Sequence, residues 1–234
     1  MRRMTFGGII VAAGSGTRMG GVDKCALPLN GRSMASYSVD VLAEAVTDLV
    51  VVVATDQLSA WRAIADTEGW RARVRFVAGG ETRSQSVFAG LSALEDGGPC
   101  AYVAIHDGAR PLLSSQMVDD CFAAVREHGA VTLATPVTDT IKRVDGTRIV
   151  ETPDRAGLWA AQTPQVFARD MLRAAFAWAR TIPSLAFTDE AGLVEAFGHP
   201  VHVVRSSREN FKVTEMIDYR LAEITLAARR SANA

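Results

Sequence analysis

The segment from Phe6 to Pro28, FGGIIVAAGSGTRMGGVDKCALP, constrains the fold of this chain more than any other. Its apolar run, Gly8 to Ala13, is short and β-branched, the pattern of a single buried strand. Gly14, Gly16, Gly20 and Gly21 follow at once, with Arg18 among them and Lys24 just beyond. A strand that ends in a flexible turn, with free backbone N–H groups and fixed positive charge, is a place to hold phosphates. Neither common phosphate loop fits, however. Thr17, Arg18 and Met19 separate Gly16 from Gly20, one residue too many for the dinucleotide fingerprint. The acidic residue that should end the second strand is also missing, since Asp56 comes far too late. In the P-loop spacing, Val22 stands where the lysine belongs. What remains is a glycine turn carrying two cations, a combination suited to a reacting triphosphate.

Further apolar runs predict strands at Leu49–Ala54, Val74–Ala78, Tyr102–Ile105, Val131–Ala134 and Val201–Val204. Helical patterns separate them. The first is placed for capping by Ser33 and runs to about Ala45; the others lie near 57–68, 84–95, 115–128, 169–180, 189–197 and 215–230. Such alternation predicts an α/β fold: a single Rossmann-like domain over residues 1–234, with a mostly parallel central sheet covered by helices. Ligands of such sheets bind at the carboxyl ends of the strands. Gly14–Lys24, Gly79–Ser86 and His106–Arg110 all fall there. One segment breaks the alternation. Pro136–Asp154 has Asp145-Gly146 between two β-branched stretches, a hairpin signal. A lone hairpin is marginal in water, so this protruding β-arm, about residues 137–154, is expected to pack on a partner subunit.

Composition removes several classes of function. A net charge of −1 offers no basic face for nucleic acid, and no apolar stretch approaches the ~20 residues of a membrane span. Three scattered cysteines (Cys25, Cys100, Cys121) make neither a disulfide framework nor a zinc site. Met1–Gly16 imitates a signal peptide, but its apolar run feeds directly into the phosphate loop, so the expected location is cytoplasmic.

Lys212, in ENFKVT after the last strand, is a third candidate cation, although a lysine near a helix start is ordinarily solvated. In IHDGARP, Asp107 and Arg110 stand just past a strand end, where a carboxylate suits magnesium or a hydroxyl partner. His106-Asp107 also admits a metal phosphohydrolase, but that chemistry needs further His and Asp ligands. His128, His199 and His202 sit in a helix and around a late strand.

GIIVAAGSGTRMG with Lys24 resembles the opening of the sugar-phosphate nucleotidyltransferases, most nearly the cytidylyltransferases of the non-mevalonate isoprenoid pathway. The resemblance continues through GGETRSQSVFAGL, IHDGARP, PVTDTIKRV, TPDRAGLWAAQTPQVF, FTDEAGLVEAFG and ENFKVT, nearly the whole chain. It implies transfer of CMP from CTP to a polyol phosphate, with Mg²⁺, in a homodimer that exchanges the arm. Methylerythritol 4-phosphate is the favoured acceptor and ribitol 5-phosphate the alternative; a catalytically silent nucleotide binder of the same fold is a further reading. By resemblance, Arg18, Lys24 and Lys212 surround the reacting α-phosphate. Ala12, Ala13, Gly14, Ser15, Gly16, Gly80, Glu81, Ser86, Asp107 and Gly108 hold the nucleotide, with Ser86 facing cytosine. Asp107 and Arg110 face the acceptor and the metal-bound phosphates. Thr163 and Thr188 contact the acceptor too, and Thr140 and Arg155 reach it from the neighbouring subunit. The sequence departs from the family pattern at Asp23, Cys25, Gln85 and Gly108. Asp23 in particular adds negative charge next to Lys24.

Overall fold

The computed structural model describes residues 5–14, 23–70, 73–96, 100–182 and 187–232. In chain order its strands are β1 (Phe6–Ala12), β2 (Pro28–Leu29), β3 (Arg32–Ser33), β4 (Asp48–Val53), β5 (Arg75–Ala78) and β6 (Tyr102–Asp107). There follow β7 (Ala130–Pro136), β8 (Arg143–Asp145), β9 (Arg148–Glu151), β10 (Trp159–Ala168) and β11 (His202–Arg205). The α-helices are α1 (Ser36–Ala45), α2 (Leu58–Glu68), α3 (Arg83–Asp96), α4 (Ser115–His128), α5 (Arg169–Ala179), α6 (Glu190–Ala196) and α7 (Met216–Ala232).

Seven strands form one sheet in the order β11-β7-β10-β6-β1-β4-β5. Strand β1 pairs parallel with β4 and β6, β4 with β5, and β11 with β7. Because the sheet is covered on both sides, its central strands are apolar without alternation. Ile9, Ile10 and Val50 to Val53 are completely buried. One layer packs Val39 and Leu42 of α1, Trp61 of α2, Val118 of α4 and Leu226 of α7 against the sheet. The opposite layer is built from Leu91 of α3, Leu172 of α5 and Leu193 of α6.

The parallel strands stand where the sequence places them, but β10 is not foreseen there. This ten-residue strand lies antiparallel between β6 and β7, near the middle of the sheet. Pro164 argues against such a place, since proline cannot donate to a ladder. The chain accommodates it where the pairing with β7 shifts register between Ala161 and Gln165, and Thr163-Pro164 is cis. Ser33 is a second correction. It belongs to the short strand β3 and does not cap α1, whose N-cap position is Ala35 without a side-chain bond. Instead the Ser33 backbone N–H donates to Glu68 Oε1 at 2.9 Å, and its carbonyl accepts from the Ser36 hydroxyl.

The expected arm is present. Strands β8 and β9 pair antiparallel around Gly146, whose φ of +58° lies in the left-handed region that a tight hairpin turn requires. It leaves the sheet where β7 and β10 last pair, at Pro136 and Trp159. Among the described residues no helix is long and apolar enough to cross a membrane.

Candidate active site

Three turns at the carboxyl ends of β1, β5 and β6 meet the segment before α7 in a cleft of about 370 Å³. Its walls include Ala12, Ala13 and Gly14 from β1, Lys24, the turn Gly80–Arg83 with Ser86, Asp107, Lys212 and Thr214. A smaller cavity of about 180 Å³ adjoins it, lined by Arg110, Gln162, Thr163, Thr188 and Asp189. Arg83, Asp107 and Lys212 line both cavities. Arg18, Ser15 and Gly16 lie outside the described residues. Gly108 sits behind the lining, its N–H donating to Val11 O at 2.9 Å. A Cβ there would stand 3.1 Å from Cys25 Sγ and 3.2 Å from Val11 O, so glycine lets this turn lie close against β1.

Asp107 is the electrostatic centre. Its carboxylate lies 3.1 Å from Lys212 Nζ, 3.1 Å from Arg83 Nε and 3.5 Å from Arg110 Nε. Burial alone would raise its pKa. The charges of Arg83, Lys212 and Arg110 outweigh burial and hold the carboxyl well below the usual carboxylate range. Lys24 lines the same cleft, and its ammonium donates to Val213 O at 3.4 Å, beside Lys212. The two described candidate cations, Lys24 and Lys212, thus reach one cleft from opposite ends of the chain.

Asp23 does not pair with Lys24 in this arrangement. Its Oδ1 accepts from the Cys25 N–H at 3.0 Å and its Oδ2 from the Trp61 indole N–H at 2.8 Å. The carboxylate therefore caps the short turn Lys24–Ala26 that carries the lysine. Cys25 beneath it is buried, and burial pushes its thiol far up. Gln85 has an equally local task. Its side-chain oxygen accepts from the Thr82 N–H while the Thr82 hydroxyl accepts from the Gln85 N–H, both at 3.1 Å. That is a capping box, and it starts α3 beside the cleft. The Ser86 hydroxyl, buried at the cleft wall, donates to Thr82 O at 3.0 Å and accepts from the Gly80 N–H at 3.2 Å. Gly79 in this turn admits no side chain, because a Cβ would stand 2.6 Å from that of Ala13.

Thr140 and Arg155 lie on the exposed arm and line neither cavity. Arg155 donates within the arm to Thr138 O at 2.6 Å. Thr163 is 4% exposed and its hydroxyl is engaged by His106 and the Asp107 N–H, each at 3.0 Å. His106 is completely buried with both ring nitrogens bonded inside the protein. The phosphohydrolase reading thereby loses its histidine.

Arg83 escaped the sequence reading. It opens α3, yet a cation is unfavourable at a helix N-terminus unless carboxylates draw it there. Here two do, Asp107 and Glu190, the latter at 2.5 Å and 1% exposed. Burial pushes the Glu190 carboxyl up, against the pull of the Arg83 guanidinium. An arginine at the start of a predicted helix, in a glycine-turn motif, was the available signal.

Magnesium fits the site only on restricted terms. Among the described residues no group of three or more metal-ligating side chains exists. Asp107 is one carboxylate already surrounded by cations. Mg²⁺ characteristically takes one or two carboxylates and completes its shell with substrate phosphates and water. The donor set therefore suits an ion brought in by a triphosphate.

Residues 7–228 match the family model described as 2-C-methyl-D-erythritol 4-phosphate cytidylyltransferase. Among curated relatives, a protein of that name from Prochlorococcus marinus (strain MIT 9313) is 43% identical over 226 residues, 94% of this chain and 98% of the relative. One from Symbiobacterium thermophilum is 44% identical over 222 residues, 93% of this chain and 91% of the relative. Among solved structures, the 4-diphosphocytidyl-2C-methyl-D-erythritol synthase of Anaerococcus prevotii superposes with a TM-score of 0.82 at 29% identity, covering 96% of this chain and 99% of the other. The Thermus thermophilus cytidylyltransferase gives a TM-score of 0.76 at 26% identity, covering 94% and 98%.

Proposed function

The chain belongs to the 2-C-methyl-D-erythritol 4-phosphate cytidylyltransferase family, and from that premise we propose how its cleft carries out the reaction. The enzyme transfers CMP from CTP to 2-C-methyl-D-erythritol 4-phosphate, yielding 4-diphosphocytidyl-2-C-methyl-D-erythritol and pyrophosphate in isoprenoid biosynthesis. The relatives described above all carry the methylerythritol name, and nothing in the site favours ribitol phosphate. The observation carrying the mechanism is the convergence of Lys24 and Lys212 on one cleft beside the Ala12–Gly14 and Gly80–Arg83 turns.

An oxygen of the acceptor phosphate attacks the α-phosphorus of CTP. A new P–O bond forms, the bond from the α-phosphorus to the bridging oxygen breaks, and pyrophosphate leaves with the electron pair. Negative charge grows on the non-bridging oxygens and the leaving group, so the protein's task is positioning and cationic stabilisation. Lys24 and Lys212 supply that charge within the one cleft, with Arg18 in the same role. Arg110 and Thr188, in the adjoining cavity, hold the acceptor beside Asp107. Asp107, together with the triphosphate's own oxygens, would hold Mg²⁺, which would screen the triphosphate's charge. Thr140 and Arg155 complete the acceptor site of a second protomer, making the working unit a homodimer. The apolar arm supports this, since Val144 and Ile149 are 54% and 56% exposed in the single chain. The scattered buried free cysteines suit a reducing, cytoplasmic setting.

Pyrophosphate release from CTP and Mg²⁺, measured with methylerythritol 4-phosphate and ribitol 5-phosphate in parallel, tests the assignment. Release with the first acceptor is expected. Release with ribitol 5-phosphate alone would move the enzyme to another pathway, and silence with both would leave a nucleotide binder.

A further inference from the structure

His106 is buried beneath the cleft, and its side chain lines neither of the two cavities described above. Its two nitrogens belong to a closed ring of hydrogen bonds joining three parts of the chain. Nε2 lies 3.1 Å from the Arg110 carbonyl and Nδ1 lies 3.0 Å from the Thr163 hydroxyl. The Arg110 guanidinium donates through Nη1 to Asn210 O at 2.8 Å. Asn210 returns to the start, donating through Nδ2 to Thr163 O at 2.9 Å. The cycle therefore runs His106, Arg110, Asn210, Thr163 and back to His106.

Proton positions follow from the partners alone. A carbonyl can only accept, so Nε2 carries the proton that faces Arg110 O. In a neutral ring Nδ1 is then bare, and the Thr163 hydroxyl donates to it. The lone pairs of that hydroxyl remain for the Asp107 N–H, which donates to it at 3.0 Å. A protonated ring would leave the Thr163 hydroxyl proton without that acceptor and place a second buried cation near Arg110.

We propose that His106 is a positioning residue, its proton on Nε2, that locks this cycle and thereby fixes Asp107, Arg110 and the Lys212 segment relative to one another. Every member carries or adjoins a group facing the cleft. Asp107 and Arg110 flank the turn that begins at His106. Asn210 stands two residues before Lys212, and the Val213 N–H donates to Ala109 O at 2.8 Å, tying that segment to the same turn. Thr163 acts here through its hydroxyl on the turn, a role separate from contact with the acceptor. The inference rests on the cytidylyltransferase reading for its kinetic consequence, but the ring's protonation stands apart from it.

Two experiments decide the matter. In ¹⁵N-labelled full-length protein, with the His106 resonances identified by their loss in H106F, the ring should be the Nε2–H tautomer at pH 7. An Nδ1–H tautomer, or a charged ring at pH 7, overturns the proposal. In steady-state assays, H106F should lower kcat/KM for the acceptor by about ten- to a hundredfold, a typical cost of small misplacement, while leaving KM for CTP unchanged. H106N, which keeps an acceptor near the Nδ1 position, should fall between H106F and wild type. A folded H106F with wild-type kinetics overturns the proposal. If H106F does not fold, T163V and T163S decide the kinetic part: T163V should show the same loss and T163S should recover it, and a T163V enzyme equal to wild type refutes the lock. Absence of CTP-dependent turnover in the wild type would count against the functional reading alone, since the tautomer decides the cycle independently.

Discussion

The floor of the cleft and the arm between β7 and β10 are built on opposite terms. At the floor, His106, Asp107, Arg110, Thr163, Glu190 and Asn210 are all buried and bonded to one another or to Arg83. On the arm, every residue from Thr138 to Thr152 is exposed, and its polar contacts, such as Arg143 to Glu151 at 2.7 Å, are surface pairs. Surface pairs contribute little, whereas breaking a buried charged network costs several kcal/mol. The floor is thus held together by bonds within one chain. The arm leaves Ile141, Val144, Ile149 and Val150 exposed in the single chain. A single molecule preorganises its charges in the first region and leaves apolar side chains uncovered in the second.

The contrast can be broken most directly at Arg83. Arg83→Gln removes the cation that Glu190 meets in the buried floor, and should destabilise the protein by about 3–5 kcal/mol, read by urea unfolding. Arg83→Lys should recover part of this, since it keeps the charge and loses the fork. An unchanged midpoint for R83Q would mean that the floor is not the rigid part.

Lys24→Ala and Lys212→Ala come next. Each should cut turnover by about 10²–10³-fold, with CTP affinity largely retained by calorimetry. Equal losses in binding and turnover would make these lysines ground-state contacts instead.

Acid sharpens the comparison, because the floor contains groups that resist protonation and the arm is open to water. His106 has a folded pKa lowered to about 4, so the unfolded chain binds its proton first. Stability should therefore fall as pH drops from about 6.5 to 4, by about 3 kcal/mol from this group. The Asp107 carboxyl, held low in the folded state, adds a further loss at still lower pH. Chemical denaturation across this range, compared with H106F, isolates the first contribution; identical slopes would remove it.

The smallest effect on the folded chain is expected at the arm. Val144→Asp combined with Ile149→Asp should change the stability of one protomer by within about 0.5 kcal/mol, yet sedimentation should show loss of the dimer. Acceptor turnover should fall with it. A fully active monomer would exclude a site shared through Thr140 and Arg155.

What could be read from sequence follows the same division. Continuous apolar runs announced β1, β4, β5, β6, β7 and β11, and Asp145-Gly146 announced the arm, because both signals are local. Strand β10 was hidden since Gln162, Thr163, Pro164 and Gln165 look like a loop, and only pairing with β6 and β7 on both sides makes them a strand. Lys24 and Asp107 stood out by position near strand ends, and Lys212 only by its match to the family pattern. Arg83, Glu190 and Asn210 did not, because their importance lies in partners up to 107 residues away. Asp23, next to Lys24 in sequence, acts on it through the backbone turn it caps, with its other oxygen on Trp61.

The register of β10 carries one more consequence. Because it runs antiparallel beside β7, the chain between Pro136 and Trp159 is simply the overgrown connection of a hairpin. Such a connection can be lengthened, trimmed or rewritten without moving a single rung of the seven-stranded ladder. The sheet and the arm are therefore separately evolvable, joined at two residues.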